Sequence, residues 1–309
     1  MRVLVVGAGA LGGYYGACLD RAGRDVALLV REKRAEQLRQ NGLQVVSPHG
    51  DFAVQPKILL ANDLKHPFDV VLVGVKSYSL DDAMRQFALA VGADTMILPI
   101  LNGLKHIDAL TARFGATRVL GGLANVSAGL DADGRVVQFM ANQTIVFGET
   151  EGALSERVLA LEALLQVPGI DVRASEAIMQ DMWEKFVQLS TVAGITCLMR
   201  ASIGDILTVP NGERSIFRLF AECCAVATAS GFEPRAPFIE FDRKLFTTRD
   251  SPLKASMLRD IERGSITEAE HILGDMANRA RTLGIDTPLL DLARAHVAAY
   301  EVGRQRTAS

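Results

Sequence analysis

Four short apolar runs in the first third of the chain each end on residues suited to ligand binding. Residues 3–6 run into Gly7-Ala8-Gly9-Ala10-Leu11-Gly12, residues 26–30 into Arg31, residues 70–75 into Lys76, and residues 96–101 into Asn102. In an open parallel sheet such positions fall at the carboxyl edge of neighbouring strands, where ligands bind. Gly7 lets the chain turn out of its strand, Gly9 leaves room for a pyrophosphate, and Gly12 lets the next helix pack closely. That helix is expected over residues 10–22, with Gly23 as its stop. It opens on Ala10 and Leu11 and turns free N–H groups and a positive dipole end toward phosphates. The pattern predicts dinucleotide binding, although a strand-to-helix turn without a ligand could use the same glycines.

The end of the second strand bears on which dinucleotide. An NAD site usually has Asp or Glu there, accepting from the ribose 2′-hydroxyl. This chain has Arg31, with Lys33 and Arg34 close behind. A guanidinium cannot accept that proton but can pair bidentately with a 2′-phosphate. The reading therefore favours NADPH, while the adjacent Glu32 keeps NAD open and a solvated loop cation would look the same.

A second chemical feature lies in Met182-Trp183-Glu184-Lys185-Phe186, where Lys185 is a polar position inside an apolar amphipathic stretch. An ammonium in a dry site can stabilise a developing alkoxide and donate a proton to it. The same pattern also fits a lysine that snorkels to solvent and pairs with Asp181. His49, His66, His106, His271 and His296 have no patterned carboxylate partner and read as surface or packing residues.

These residues must be carried by a framework. Short β-branched runs alternate with helical stretches through the first half, the texture of a doubly wound sheet. Residues 135–140 and 144–148 read as two strands turning through Ala141-Asn142-Gln143. After about residue 175 helical periodicity dominates: Met179, Met182, Trp183, Phe186 and Leu189 recur at three- and four-residue spacing. Further helix is expected over 251–283 and after Pro288, with 302–309 a frayed polar tail. The expected fold class is α/β: an N-terminal Rossmann-type doubly wound domain (1–173) that binds the dinucleotide, followed by an all-helical C-terminal domain (174–309) for substrate and catalysis.

Composition narrows the classes. With 309 residues there is ample length for two cores, and a net charge of −3 gives no basis for nucleic-acid or anionic-membrane binding. The four cysteines form no zinc or CxxC pattern and read as reduced thiols, which with the lack of a membrane span or signal segment suggests a cytoplasmic protein without a metal.

Taken together, Gly7-Ala-Gly-Ala-Leu-Gly12, Val75-Lys76, Leu101-Asn102-Gly103, Trp183-Glu-Lys185-Phe, Ser256-Met-Leu-Arg-Asp260 and Thr267-Glu268 resemble the ketopantoate reductase (2-dehydropantoate 2-reductase) family nearly end to end. The resemblance implies NADPH-dependent reduction of a 2-oxo acid, ketopantoate to pantoate in pantothenate synthesis. It implies Lys185 as general acid, Glu268 as the residue orienting Lys185 or a substrate hydroxyl, and Ser256 on the substrate carboxylate. Asn102 and Lys76 would position the nicotinamide end and the reacting site, and Arg31 would grip the 2′-phosphate. A homodimer is implied as well. The chain departs from the family where asparagines commonly line the substrate pocket: it has Leu189, Ala193 and Leu273 there. An apolar pocket cannot demand a substrate hydroxyl, so a more apolar oxo acid or an imine is an alternative substrate. A non-catalytic NADP(H)-sensing module is the third reading.

Overall fold

The computed structural model describes residues 1–308. The chain divides into two compact units, Met1–Leu101 with His106–Met179, and Asn102–Lys105 with Gln180–Ser309.

In chain order the first unit contains β1 (Val3–Val6), α1 (Ala10–Arg21), β2 (Val26–Leu29), α2 (Glu32–Asn41), β3 (Leu43–Val46), β4 (Phe52–Val54), β5 (Lys57–Leu59) and β6 (Val70–Val73). It continues with α3 (Leu80–Gln86), β7 (Met96–Pro99), most of α4 (Lys105–Phe114), β8 (Leu120–Leu130), β9 (Val136–Glu149), α5 (Glu156–Leu165) and β10 (Asp171–Ala174). Five strands form a parallel sheet in the order β5-β2-β1-β6-β7, the order of a dinucleotide-binding sheet. Strands β1, β2 and β6 are buried at every position, as a sheet covered on both faces requires. Because all five run the same way, the ends of β1, β2, β6 and β7 share one edge.

A second sheet, β10-β9-β3-β4 with β8 on β9, mixes parallel and antiparallel pairs. Here the hairpin expectation is corrected. Residues 136–149 are one strand whose pairing with β8 breaks over 139–142, between Gln143 opposite Val126 and Gln138 opposite Ala128, and the reversal between β8 and β9 falls at 131–135. The Asp131 carboxylate accepts from the N–H groups of Asp133 and Arg135 at 3.0 and 2.8 Å, and Gly134 takes a φ of +76°. Asp-x-Asp-Gly is thus the turn signal, and Ala-Asn-Gln is not.

The second unit is helical: α6 (Ile178–Met199), α7 (Ile203–Leu207), α8 (Gly212–Ala229), α9 (Ala236–Thr247), α10 (Ser256–Glu262), α11 (Ala269–Thr282) and α12 (Pro288–Ala308). The stretch read as helix over 251–283 is two helices. At the end of α10, Gly264 has a φ of +68° and the Ser265 N–H closes back on the Asp260 carbonyl at 2.8 Å, a glycine stop. The expected frayed tail is also corrected: α12 continues to Ala308, with Arg304 bonding Glu301 at 3.0 Å, and Ser309 lies outside the described residues. Among the described residues no helix is long and apolar enough to cross a membrane, and no group of His, Cys, Asp and Glu is arranged to hold a metal ion.

Candidate active site

In the first unit the glycine turn has the form the spacing predicts. Gly7 has a φ of +91°, and a Cβ there would lie 2.8 Å from Val75 Cγ1. A Cβ on Gly12 would lie 2.0 Å from the Gly7 carbonyl oxygen, so α1 packs directly on the turn. Gly9 differs: no heavy atom stands within 4 Å of where its Cβ would be. It is the N-cap of α1, without a side-chain cap and without an acid in the first turn. The first intrahelical bond is Gly13 N–H to the Gly9 carbonyl at 2.9 Å. The N–H groups of Ala10, Leu11 and Gly12 precede it and lack helical partners by geometry. Open space beside uncapped N–H groups at a positive helix end fits a pyrophosphate.

Two residues complete this edge. Gly74, after β6, was not singled out from sequence, yet a Cβ on it would meet Gly12 Cα and N at 2.9 Å. Its signal was its place at a strand end opposite the first turn. Arg34, noted only as a nearby cation, braces the turn: its Nε donates to the Ala8 carbonyl at 3.1 Å and its Nη1 to the Gly134 carbonyl at 2.9 Å. Arg31 is the N-cap of α2, and its exposed guanidinium bonds the Asp82 carboxylate at 2.8 Å. Lys76 follows β6 and its carbonyl accepts the Ser79 N–H at 2.9 Å.

In the second unit, Lys185 is half-buried on α6, and burial pushes its ammonium down to about 8. It is therefore charged at neutral pH and able to release a proton just above it. Its neighbours fix the helix. Glu184 accepts from the Arg235 backbone N–H at 2.9 Å and from its Nε at 2.8 Å, and Arg235 Nη2 also reaches Asp181 at 2.5 Å. Asp181, considered above as a local partner for Lys185, is thus engaged by Arg235. Trp183 stacks on Phe232 with centroids 5.5 Å apart and lies under Arg279 at 5.4 Å. The motif therefore anchors α6 on both sides of its one lysine.

Glu268 occupies the N-cap position of α11 without a side-chain capping bond and is 8% exposed. The Glu301 carboxylate holds it in place indirectly, accepting from both the N–H and the hydroxyl of Thr267 at 2.7 Å. Asn102 belongs to this unit and sits against α11. The His271 ring hydrogen-bonds the Asn102 backbone and lies within the field of Glu268, while burial lowers its basicity. A Cβ on Gly103 would lie 3.1 Å from the His271 carbonyl. Asn102, His271 and Glu268 are thus brought together. Sequence reading passed over His271; its signal was a position one helical turn beyond Glu268. Ser256 is exposed at the start of α10, and the adjacent Ala255 N–H bonds Thr196 of α6 at 3.4 Å.

Two of the polar side chains that could replace the missing asparagines are committed elsewhere: Gln188 donates to Asp242 at 2.5 Å and Thr191 bonds the Val187 carbonyl at 2.8 Å. Ser190 is fully buried, its hydroxyl without a hydrogen-bond partner among the described residues. Leu189 is half-buried and Ala193 buried on the Lys185 side of α6. Leu273 is fully buried in the helical core, its Cδ2 3.7 Å from where a Cβ on Gly194 would lie.

Comparison with known proteins bears on both units. Residues 3–152 match the family model described as ketopantoate reductase PanE/ApbA, and residues 177–301 match that of its C-terminal domain. An uncharacterized oxidoreductase of Bacillus subtilis, YkpB, is 36% identical over 97% of this chain and 99% of its own length. A 2-dehydropantoate 2-reductase of Halobacterium salinarum is 30% identical over 94% of this chain and 95% of its own. The crystal structure of 2-dehydropantoate 2-reductase from Geobacter metallireducens superimposes with a TM-score of 0.86 at 30% identity, covering 97% of this chain and 99% of that one. The glycine turn, the lysine-bearing helix and these end-to-end matches agree: the chain belongs to the ketopantoate reductase family of oxidoreductases.

Proposed function

We propose that the protein reduces a 2-oxo acid to the 2-hydroxy acid with NADPH, and that ketopantoate is its substrate. The observation that carries this is Lys185 on an α6 segment fixed by the Glu184–Arg235 pair and the Trp183–Phe232 stack, where burial lowers its proton affinity. The Rossmann-type domain, residues 1–173, would hold the cofactor, and the helical domain, 174–309, the substrate. Gly7, Gly9, Ala10, Leu11 and Gly12 would receive the pyrophosphate, Arg31 the 2′-phosphate, and Lys76 and Asn102 the nicotinamide end. When bound, the nicotinamide supplies a hydride to the keto carbon. Lys185 Nζ carries the proton that the carbonyl oxygen takes up, and its charge favours the developing alkoxide. Glu268 orients the ammonium or a substrate hydroxyl, and Ser256 hydrogen-bonds the carboxylate.

A second reading keeps the chemistry and changes the substrate. Leu189, Ala193 and Leu273 stand where the family commonly has asparagines, and Gln188 and Thr191 are bonded elsewhere. That favours a 2-oxo acid with less hydroxyl character. NADPH oxidation with ketopantoate, pyruvate and bulkier apolar 2-oxo acids separates the readings. Selective turnover of ketopantoate supports the first, and preference for an apolar oxo acid supports the second. No turnover of any of them refutes both.

A further inference from the structure

Arg31 reaches from the start of α2 to α3, where its Nη2 bonds Asp82 Oδ2 at 2.8 Å. Both side chains are solvent-accessible, at 65% and 40% exposure, so the pair is weak and the guanidinium can be taken by a stronger anion. Asp82 is held independently of Arg31. Gln86 Nε2 donates to its Oδ2 at 2.8 Å and Arg85 Nη2 to its Oδ1 at 3.3 Å. An arriving phosphate could therefore displace the carboxylate from Arg31 without driving it away from the site.

We infer that Asp82 is a specificity-determining residue, which competes with a ribose 2′-phosphate for Arg31 and makes the chain less selective for phosphorylated nucleotide than Arg31 alone would be. This rests on the reading that Arg31 receives that phosphate. A carboxylate about 6 Å from a phosphate dianion in high dielectric repels it enough to change affinity by about three- to tenfold, less at high salt. A nucleotide without the 2′-phosphate feels little of this.

The test measures dissociation constants of 2′,5′-ADP and 5′-AMP by calorimetry on the full chain and on three variants. Asp82→Asn keeps an acceptor for Gln86 and removes the charge. It is expected to tighten 2′,5′-ADP about three- to tenfold, to leave 5′-AMP unchanged, and to lose most of the gain in 0.5 M salt. Asp81→Asn removes a neighbouring acid of α3 and should give a smaller gain. Weakened or unchanged 2′,5′-ADP binding in Asp82→Asn, or an equal gain in Asp81→Asn, overturns the inference. Arg31→Ala separates the two levels. If it loses the preference for 2′,5′-ADP while Asp82→Asn changes nothing, only the inference fails. If it changes nothing, the assignment of the phosphate to Arg31 fails and the inference falls with it.

Discussion

Replacing Gly9 and Gly12 in turn by alanine should separate cofactor binding from folding. Gly9 has φ −83° and ψ −154°, a conformation open to alanine, and no heavy atom lies within 4 Å of its Cβ position. The methyl therefore meets nothing in the free protein, and as a change of N-cap it should cost less than about 1 kcal/mol of stability. It would, however, occupy the space proposed for the pyrophosphate. Overpacking of a close contact costs about 1–3 kcal/mol, which weakens NADPH binding by about five- to a hundredfold. Gly12→Ala places a methyl 2.0 Å from the Gly7 carbonyl oxygen, a backbone atom that cannot swing away. There α1 must shift, and the cost of about 1–3 kcal/mol or more falls on the fold itself. Thermal unfolding of both variants, with NADPH binding followed by nicotinamide fluorescence, reads the two effects separately. Gly9→Ala binding NADPH as tightly as the unaltered protein would refute the assignment of that space to the cofactor.

Two further predictions concern the helical unit. Asp242 is fully buried, burial pushes its carboxyl from 3.8 up to about 7, and its Oδ2 has no hydrogen-bond partner among the described residues. Between about pH 4 and pH 7 the native protein keeps a proton that the unfolded chain has lost, so this group makes stability fall as pH rises through that window. Asp242→Asn should therefore raise the free energy of unfolding by up to about 4 kcal/mol at pH 8 and hardly at all at pH 4; an equal gain at both values contradicts the account. His271→Phe keeps a ring beside Gly103 and removes the hydrogen bond to Asn102. Loss of about 1 kcal/mol of orientation should lower turnover about fivefold, with partial recovery in His271→Gln. Unchanged turnover in His271→Phe would show that the His271–Asn102 hydrogen bond does not matter to the reaction.

What could be read from sequence was what local residues dictate. The glycine turn and the amphipathic lysine helix depend on spacings of a few residues, and both take the expected form. A turn was expected at Ala141-Asn142-Gln143 because β-branched runs flank it, whereas the strand only loses register there and the Asp131 side chain and Gly134 build the reversal earlier. Gly74 and Asp82 escaped notice, and His271 was read as a surface or packing residue, for another reason. Each acts on a residue distant in sequence, on Gly12, Asn102 and Arg31 respectively. No periodicity encodes such a contact. Leu189 and Ala193 were recognisable as departures, but only the bonds of Gln188 and Thr191 show that these neighbours are occupied elsewhere.

Whether Lys185 supplies the proton in an NADPH-dependent reduction is decided by comparing the unaltered protein with Lys185→Ala in NADPH oxidation with 2-oxo acids. Loss of the proton donor should lower kcat by about a hundred- to ten-thousandfold while NADPH affinity is retained. In the unaltered protein, kcat should fall as pH rises past about 8, where Lys185 loses its charge. Near-normal turnover by Lys185→Ala would contradict the account.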